Sequence, residues 1–514
     1  MRKKLNPIVL LGVVGALVAT LFVPAASAQG GPAIELTPVG GYETGLDGGS
    51  EIVAYDARTE RMYITNGAEN AVDIVDVSDP TDPSLVRSVD LSSFGSSVQS
   101  VAVGDRLVAA AVAADEDTAR GTVVTFNPNG RNIESYRVGV LPDAIAFTPD
   151  GTKIVVANEA EPVCDGENLL RDPRGSISII DLEAERVRTA GFARWIGKED
   201  ALRNRGVRIF FPGSNAAQDL EPEFVSISPN GRRAYVTLQE NNAVAIVNIE
   251  RARVQRIVPL GFKDHSVDGN GLDPSNRDDA IDIDTWNVRG LYMPDSIAVI
   301  GAKRPRNEKF VTANEGDARD YDCYSEEGRI ADFGLADPYP ASDDLDENLG
   351  RLKTTSAFPT VLNGDGEIEQ AYSYGARSFT IWNRRGQVLF DSGDQLEQIT
   401  ADLVPEIFNQ DEGEVDDRSD DKGPEPEALT IGRVDGRRYA FVGLERTGGI
   451  AVFDITRPRR STFVTYLTTE ADLGDIAPEG MAFVPARQSP TGEAMLIVSF
   501  EVSGSTRLFS ITTN

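Results

Sequence analysis

The sequence predicts an all-β fold: a seven-bladed β-propeller of four-stranded blades, with an N-terminal strand completing the last blade and long loops on one face. Three observations lead there. The triplet Ala-Asn-Glu ends two separate apolar strands, at residues 157–159 and 313–315. A unit opening with Pro-acid recurs at Pro142-Asp143, Pro222-Glu223, Pro294-Asp295, Pro426-Glu427 and Pro478-Glu479, followed by an apolar strand, a turn and a second strand ending in or near Glu. The last unit has only three strands when the chain stops, and residues 34–42 form a strand that belongs to no other unit.

In chain order, Arg2, Lys3 and Lys4 precede an apolar run over 8–23 and the small-residue site Ala26-Ser27-Ala28. This is the plan of a cleavable secretory signal. The expected organisation is a signal peptide at 1–28 and one propeller domain with long insertions over 29–514, since 514 residues exceed one ordinary core. No later stretch is long and apolar enough to span a bilayer, so the expectation is a secreted protein, extracellular or periplasmic, with no further anchor.

Alternating Val, Ile, Ala, Phe and Tyr segments separated by Gly, Asp, Asn and Pro read as short strands. The unit from Pro222 shows the plan: strands at 224–228, 234–238, 243–249 and 254–260, with Pro229-Asn230-Gly231 as the first turn. Two weaker copies start at Glu51 and Val98 without the Pro-acid pair, which brings the units to seven. Four strands in about 45 residues mark a propeller blade. Joining strand 34–42 to the last unit removes an open sheet edge.

Blade geometry then sorts the loops. Connections from strand two to strand three share a face with the connections between blades, and every long insertion is of one of these kinds: 160–174 and 316–374 within blades, and 191–220, 261–293 and 393–423 between them. Loops this long are usually functional or disordered. The acidic stretch 332–348 has the Asp, Pro and Ser content of a segment that need not order.

The same face collects carboxylates. Asp143, Glu223, Asp295, Glu427 and Glu479 stand at strand-one starts, and Glu159, Glu240, Glu315, Glu445 and Glu501 at strand-two ends. Crowded carboxylates raise one another's pKa and resist joint ionisation unless cations compensate. Arg319, Arg377, Arg418, Lys422 and Arg446 supply some positive charge, and Ca²⁺, which takes six to eight oxygen ligands, supplies more. Taken singly, each acid is also an ordinary turn-capping residue. A second acidic cluster spans 268–284 and includes Asp273 and Asp278, without matching the twelve-residue calcium loop.

Cys164 and Cys323, the only cysteines, each follow an Ala-Asn-Glu triplet; an exported chain permits either a disulfide or two unpaired thiols. The net charge of −31 excludes nucleic acid and anionic membranes as partners and favours divalent cations. One histidine, His265, leaves little material for zinc sites or a histidine-dependent triad, and no Gly-x-Ser-x-Gly elbow or P-loop occurs.

The run Ala-Asn-Glu-Gly-Asp-Ala-Arg-Asp-Tyr at 313–321, the run Asp-Arg-Ser-Asp-Asp-Lys-Gly-Pro-Glu-Pro-Glu at 417–427 and Asp-Pro-Ser-Asn-Arg-Asp at 273–278 resemble the choice-of-anchor I family, which includes mesenchyme-specific cell-surface glycoproteins of biomineralising animals. The resemblance covers nearly the whole mature chain. It implies an exported β-propeller with extracellular or calcium-related roles, often attached by varied C-terminal anchors, which this sequence lacks. Some relatives are labelled alkaline phosphatase or phytase-like.

Two functions follow. The favoured one is a secreted, calcium-binding recognition propeller whose ligand is an extracellular glycan, matrix component or protein. The metal candidates are Glu159, Glu240, Asp273, Asp278, Glu315, Asp320, Glu425, Glu427 and Glu445. The alternative is a calcium-dependent phosphomonoesterase, with Glu315, Asp317, Arg319, Asp421 and Lys422 as catalytic candidates and Arg319, Arg377 and Lys422 on the phosphate oxygens. It gains if Arg319, Arg418 and Lys422 converge on one pocket and loses if they pair separately. Glu315, inside the long run, is the first choice for function, with Glu159 as its structural echo.

Overall fold

A computed structural model describes residues 34–513 apart from 302–304, 338, 340 and 412. The expected signal peptide lies outside the described residues. The structure is all-β and of propeller type. Among the described residues, seven four-stranded sheets dominate, and the longest helix is Gln395–Leu403. No helix of the described residues is long and apolar enough to cross a membrane.

Numbered along the chain, sheets 1 to 7 begin with Val53–Asp56, Ser97–Val103, Pro142–Phe147, Val225–Ile227, Ile297–Ile300, Pro426–Val434 and Pro478–Val484. In sheets 1 to 6 the four strands hydrogen-bond in chain order. Sheet 7 takes three strands from the end of the chain, and its fourth is Ile34–Glu43, antiparallel to Ser505–Thr513. The seven first strands neighbour one another in succession, and the first strand of sheet 7 neighbours that of sheet 1.

Burial explains why the strands read as they do. Strand two of sheet 2, Val108–Ala113, is buried at every position, which is why it is a continuous apolar run rather than an alternating one. The outermost strand of sheet 1, Ser84–Asp90, buries only Val89 and mixes exposed Leu85 and Val86 with polar residues. Turns between strands one and two reuse one device. In Thr148-Pro149-Asp150-Gly151 the Asp150 carboxylate accepts from the Thr152 amide at 3.1 Å, and Gly151 adopts φ +69°. Asn230 and Gly231 repeat it, at 3.0 Å and φ +67°.

The long insertions carry structure of their own. Phe262–Asp264, Val288–Leu291 and Ala371–Ser373 form a three-stranded sheet. A small core of Leu272, Val288, Ile330, Leu349, Leu352 and Ile368 packs residues from two insertions together. Within the acidic stretch, Ile330–Phe333 and Ala341–Asp344 are helical turns. The composition points to partial disorder because it is polar, yet Phe333, Leu335 and Tyr339 are spaced to reach this shared core, while Leu345 stays exposed.

Two covalent or charged ties hold the insertions. Cys164, in the hairpin of Val163–Asp165 with Asn168–Arg171, is bonded to Cys323, in the turn between Asp320–Tyr321 and Tyr324–Ser325, with Cα atoms 5.6 Å apart. Buried Arg208, from the connection between sheets 3 and 4, pairs with buried Glu326 and donates to the Glu240 carbonyl at 2.8 Å.

His265 is buried beneath the same layer, its Nδ1 2.6 Å from the Asn270 carbonyl oxygen. Burial, with Lys263 and Arg377 nearby, pushes its pKa down to about 3. A base held neutral in the fold contributes stability that is complete above its unfolded pKa of about 6.5 and is lost as pH falls toward the folded value. The melting temperature is therefore expected to drop between those limits with a slope that is shallower in His265→Gln; equal slopes would contradict this role. Replacing both cysteines by serine is expected to lower unfolding free energy by about 2–4 kcal/mol in urea titrations.

Candidate functional site: an acidic cavity

The Ala-Asn-Glu triplets work as clamps. Asn158 is buried, donates to the Ser176 carbonyl at 2.9 Å and accepts from the Gly139 amide at 2.8 Å. Asn314 donates to Thr380 Oγ1 at 2.8 Å and accepts from Thr312 Oγ1 at 2.7 Å. Each Asn locks the end of strand two to strand three, and the next residue, Glu159 or Glu315, leaves the sheet at the same level.

The Pro-acid starts contribute from the adjacent strand. Register shifts fall after Pro142, Pro426 and Pro478, at the acidic residue or next to it. Such bulges re-aim a side chain. The residues preceding four of these prolines, Leu141, Met293, Glu425 and Ala477, have positive φ between 39° and 60° without being glycine. That conformation costs of order 1–3 kcal/mol and recurs at functional sites. Sequence gave no warning of it, because none of the four is a residue that prefers this region.

Together these elements line a cavity of about 680 Å³. Thirteen carboxylates border it, against the four cations Lys353, Arg418, Lys422 and Arg446. The cations are not spread evenly. Glu315, Glu425 and Glu445 each place an oxygen within 4.8 Å of the others. Lys422 Nζ lies 2.6 Å from Glu315 and 3.2 Å from Glu425, while Arg418 is 2.6 Å from Glu425 and Arg446 is 3.1 Å from Glu445. Burial alone would raise Glu425, but Lys422, Arg418 and Arg446 together hold it below the usual carboxylate range. Burial, with Glu425 and Glu315 adjacent, pushes Glu445 up to about 8.

A second trio has a different environment. Glu159, Glu223 and Glu240 also bring oxygens within 4.8 Å, and among the described residues none of them has an ion-pair partner. Burial, followed by the charges of Glu161 and Asp143, holds Glu159 well above its ordinary pKa. Burial, followed by Glu240 and Glu159, does the same to Glu223.

Several predicted site residues are placed differently from expectation. Arg319 does not face the cavity. It is buried, with Nε 2.9 Å from Glu221 and Nη1 3.1 Å from Asp219. Arg377 is likewise consumed by Glu397 at 2.7 Å and by the Asp273, Ser419 and Asp421 carbonyls. Arg418 and Lys422 do meet, but on Glu425, so the three cations do not form one pocket. Asp421 is held by Arg418 at 2.8 Å and Lys353 at 3.0 Å. Asp317 and Asp320 are exposed on the cavity lining, and Glu427 also lines it.

Asp273 and Asp278 do not join either trio. Asp273 accepts from the Ser275 and Asp282 amides at 3.3 and 2.8 Å, and Asp278 from the Ala280 amide at 3.2 Å. The Asp273 oxygens thus stitch their own loop. The sequence reading left Glu223 out of the metal candidates and missed Glu161, Asp219, Glu221 and Glu326. Glu223 carried the available signal, its place in the Pro-acid series. Glu221 carried one as well, the Glu-Pro-Glu triplet of 221–223 repeated at 425–427, whereas Asp219 carried none, since its partner lies 100 residues away.

Comparison with known proteins adds the following. The choice-of-anchor I domain model matches residues 51–458. Gigasin-3a of Magallana gigas is 31% identical over 188 residues, covering 32% of this chain and 66% of that protein. The mesenchyme-specific cell surface glycoprotein of Strongylocentrotus purpuratus is 27% identical over 293 residues, covering 49% of this chain and 37% of that protein. The chain thus spans just under two thirds of the one and little more than a third of the other. Among solved structures, a chain of Kuenenia stuttgartiensis hydrazine synthase has a TM-score of 0.48 at 13% identity, covering 92% of this chain and 99% of that one. The β-propeller domain of Myceliophteria thermophila Cps50 (Swd1) has a TM-score of 0.45 at 9% identity, covering 93% and 100%.

Removing the Arg319 guanidinium leaves Asp219 and Glu221 buried without their cation. Arg319→Met is therefore expected to cost about 3–5 kcal/mol in urea unfolding, and a variant as stable as the parent would refute the pairing.

Proposed function

This chain belongs to the choice-of-anchor I family, and on that premise we propose that it is a secreted, calcium-binding β-propeller acting as an extracellular recognition module. Its seven sheets are read as seven blades of one domain, with strand 34–43 completing the last. The succession of neighbouring first strands supports this, including the contact of the last with the first. Export is supported by the sequence plan of residues 1–28 and by the cell-surface name of one relative.

The observation that carries the calcium reading is the cavity's imbalance of thirteen carboxylates against four cations. Oxygen-rich lining of this kind suits Ca²⁺, which accepts six to eight oxygen ligands in flexible geometry. The residues that would hold it are drawn from the two trios, and the bound ion would supply positive charge without further machinery. The insertions around the cavity, braced by the Cys164–Cys323 bond and their own core, offer a rigid contact surface for a glycan, matrix component or protein.

Recognition is favoured over phosphomonoester hydrolysis on charge and on donors. A phosphate dianion would enter against a large excess of negative charge, and Arg319 and Arg377 have their hydrogen bonds spent within the protein.

Calcium at saturating concentration is expected to raise the melting temperature of the purified chain, and chelator to lower it. At a hundredfold excess over Kd the stabilisation is about 2.7 kcal/mol. An unchanged melting temperature would overturn the calcium reading. No calcium-dependent turnover of a generic phosphomonoester is expected at any pH; turnover that disappears in Glu315→Gln would overturn the choice of recognition over catalysis.

A further inference from the structure

We propose that the two carboxylate trios are filled differently: Glu159, Glu223 and Glu240 hold one divalent cation, whereas at Glu315, Glu425 and Glu445 Lys422 serves as a built-in cation. This rests on the reading of the cavity as a calcium site and goes beyond it in assigning which trio is filled by what.

The two trios share two of their three positions. In each, oxygens from three glutamates lie within 4.8 Å of one another. In each, one glutamate follows strand two of one sheet and another follows strand two of the next: Glu159 and Glu240 from sheets 3 and 4, Glu315 and Glu445 from sheets 5 and 6. The third differs in place: Glu223 follows Pro222 at the strand-one start between them, whereas Glu425 precedes Pro426, where sheet 4 has Glu221. The difference is what occupies the middle. Lys422 Nζ donates a charge-assisted hydrogen bond to Glu315 Oε1 at 2.6 Å and forms an ion pair with Glu425 Oε2 at 3.2 Å. Arg418 and Arg446 close the same trio from outside.

Nothing of the kind serves the first trio. Glu223 is only 7% exposed, and its carboxylate oxygens meet no N–H or hydroxyl donor, only the Glu240 carboxylate; Glu240 Oε2 is also buried without such a donor. Buried polar atoms are almost always satisfied, so three orphaned oxygens converging on one point imply a group that supplies positive charge there. No lysine or arginine among the described residues pairs with these glutamates. The cation with the strongest field nearby, Arg319, is already committed to Asp219 and Glu221. Oxygen-only donors select a hard ion, Ca²⁺ or Mg²⁺, over thiolate- and imidazole-seeking metals, and three mutually close carboxylates favour the less geometrically demanding Ca²⁺.

The inference makes a differential prediction about stoichiometry. In calorimetric titration of the full chain with CaCl₂, Glu223→Gln is expected to bind one ion fewer than the parent. Lys422→Met is expected to bind one ion more, and to have its lowered melting temperature restored by calcium. Lys422→Arg is expected to keep the parental number. If Lys422→Met gains no ion, or is not restored by calcium, Lys422 is not standing in for a metal. If Glu223→Gln keeps the parental number, the first trio is not the site. A parent chain that binds no calcium at all would instead overturn the underlying calcium reading, so the two failures are distinguishable.

Discussion

Repulsion between carboxylates is the constraint around which this molecule is arranged. Sheet geometry delivers an acid from the start of one strand and another from the end of its neighbour to the same level, sheet after sheet. Left alone, these charges would favour opening the ring of first strands that brings them together. Each part of the rim answers the problem differently. Asp219 and Glu221 take in Arg319, Glu397 takes in Arg377, and Glu425 gathers Lys422 and Arg418. Glu159, Glu223 and Glu240 instead have no lysine or arginine partner among the described residues.

The distribution of those answers shapes the insertions. Arg319 reaches its partners only because the segment after Glu315 folds back over sheet 4, and Arg208 reaches Glu326 only if the same segment stays there. Charge compensation and loop order are thus one problem. The disulfide between Cys164 and Cys323 ties the insertion of sheet 3 to that of sheet 5 and so bridges sheet 4, which carries both Glu223 and Glu240.

Much of this was legible in the sequence, for local reasons. Strands, turns and the acid at each strand end depend on residues within a few positions of one another, as the Asn158 clamp and the Asp150 turn illustrate. The unit beginning at Pro222 was placed to within a residue or two at every strand. What could not be read was pairing across long separations. Arg319 looked like a phosphate ligand because it is a cation among the acids of the run 313–321, but its side chain turns inward to acids about a hundred residues earlier. Glu315 looked more informative than Glu159 because its surroundings are distinctive. Those surroundings supply Lys422 and Gln239, which satisfy it, and it is the plainer triplet that leads to unsatisfied oxygens at Glu223 and Glu240.

The pairing of the two outermost segments of the described chain has a mechanical side. Ile34 lies opposite Thr513 and Glu43 opposite Ser505, so the segments before the one strand and after the other emerge at the same end of the pair. Tension applied through both would load the bridging hydrogen bonds one at a time, as in a zipper, instead of all together in shear. The strand 34–43 would peel first and at low force, leaving three strands of sheet 7 in place. Load entering through Ser505–Thr513 alone is carried into the strand paired on its other side, so attachment from that side is the arrangement under which this sheet keeps its full strength.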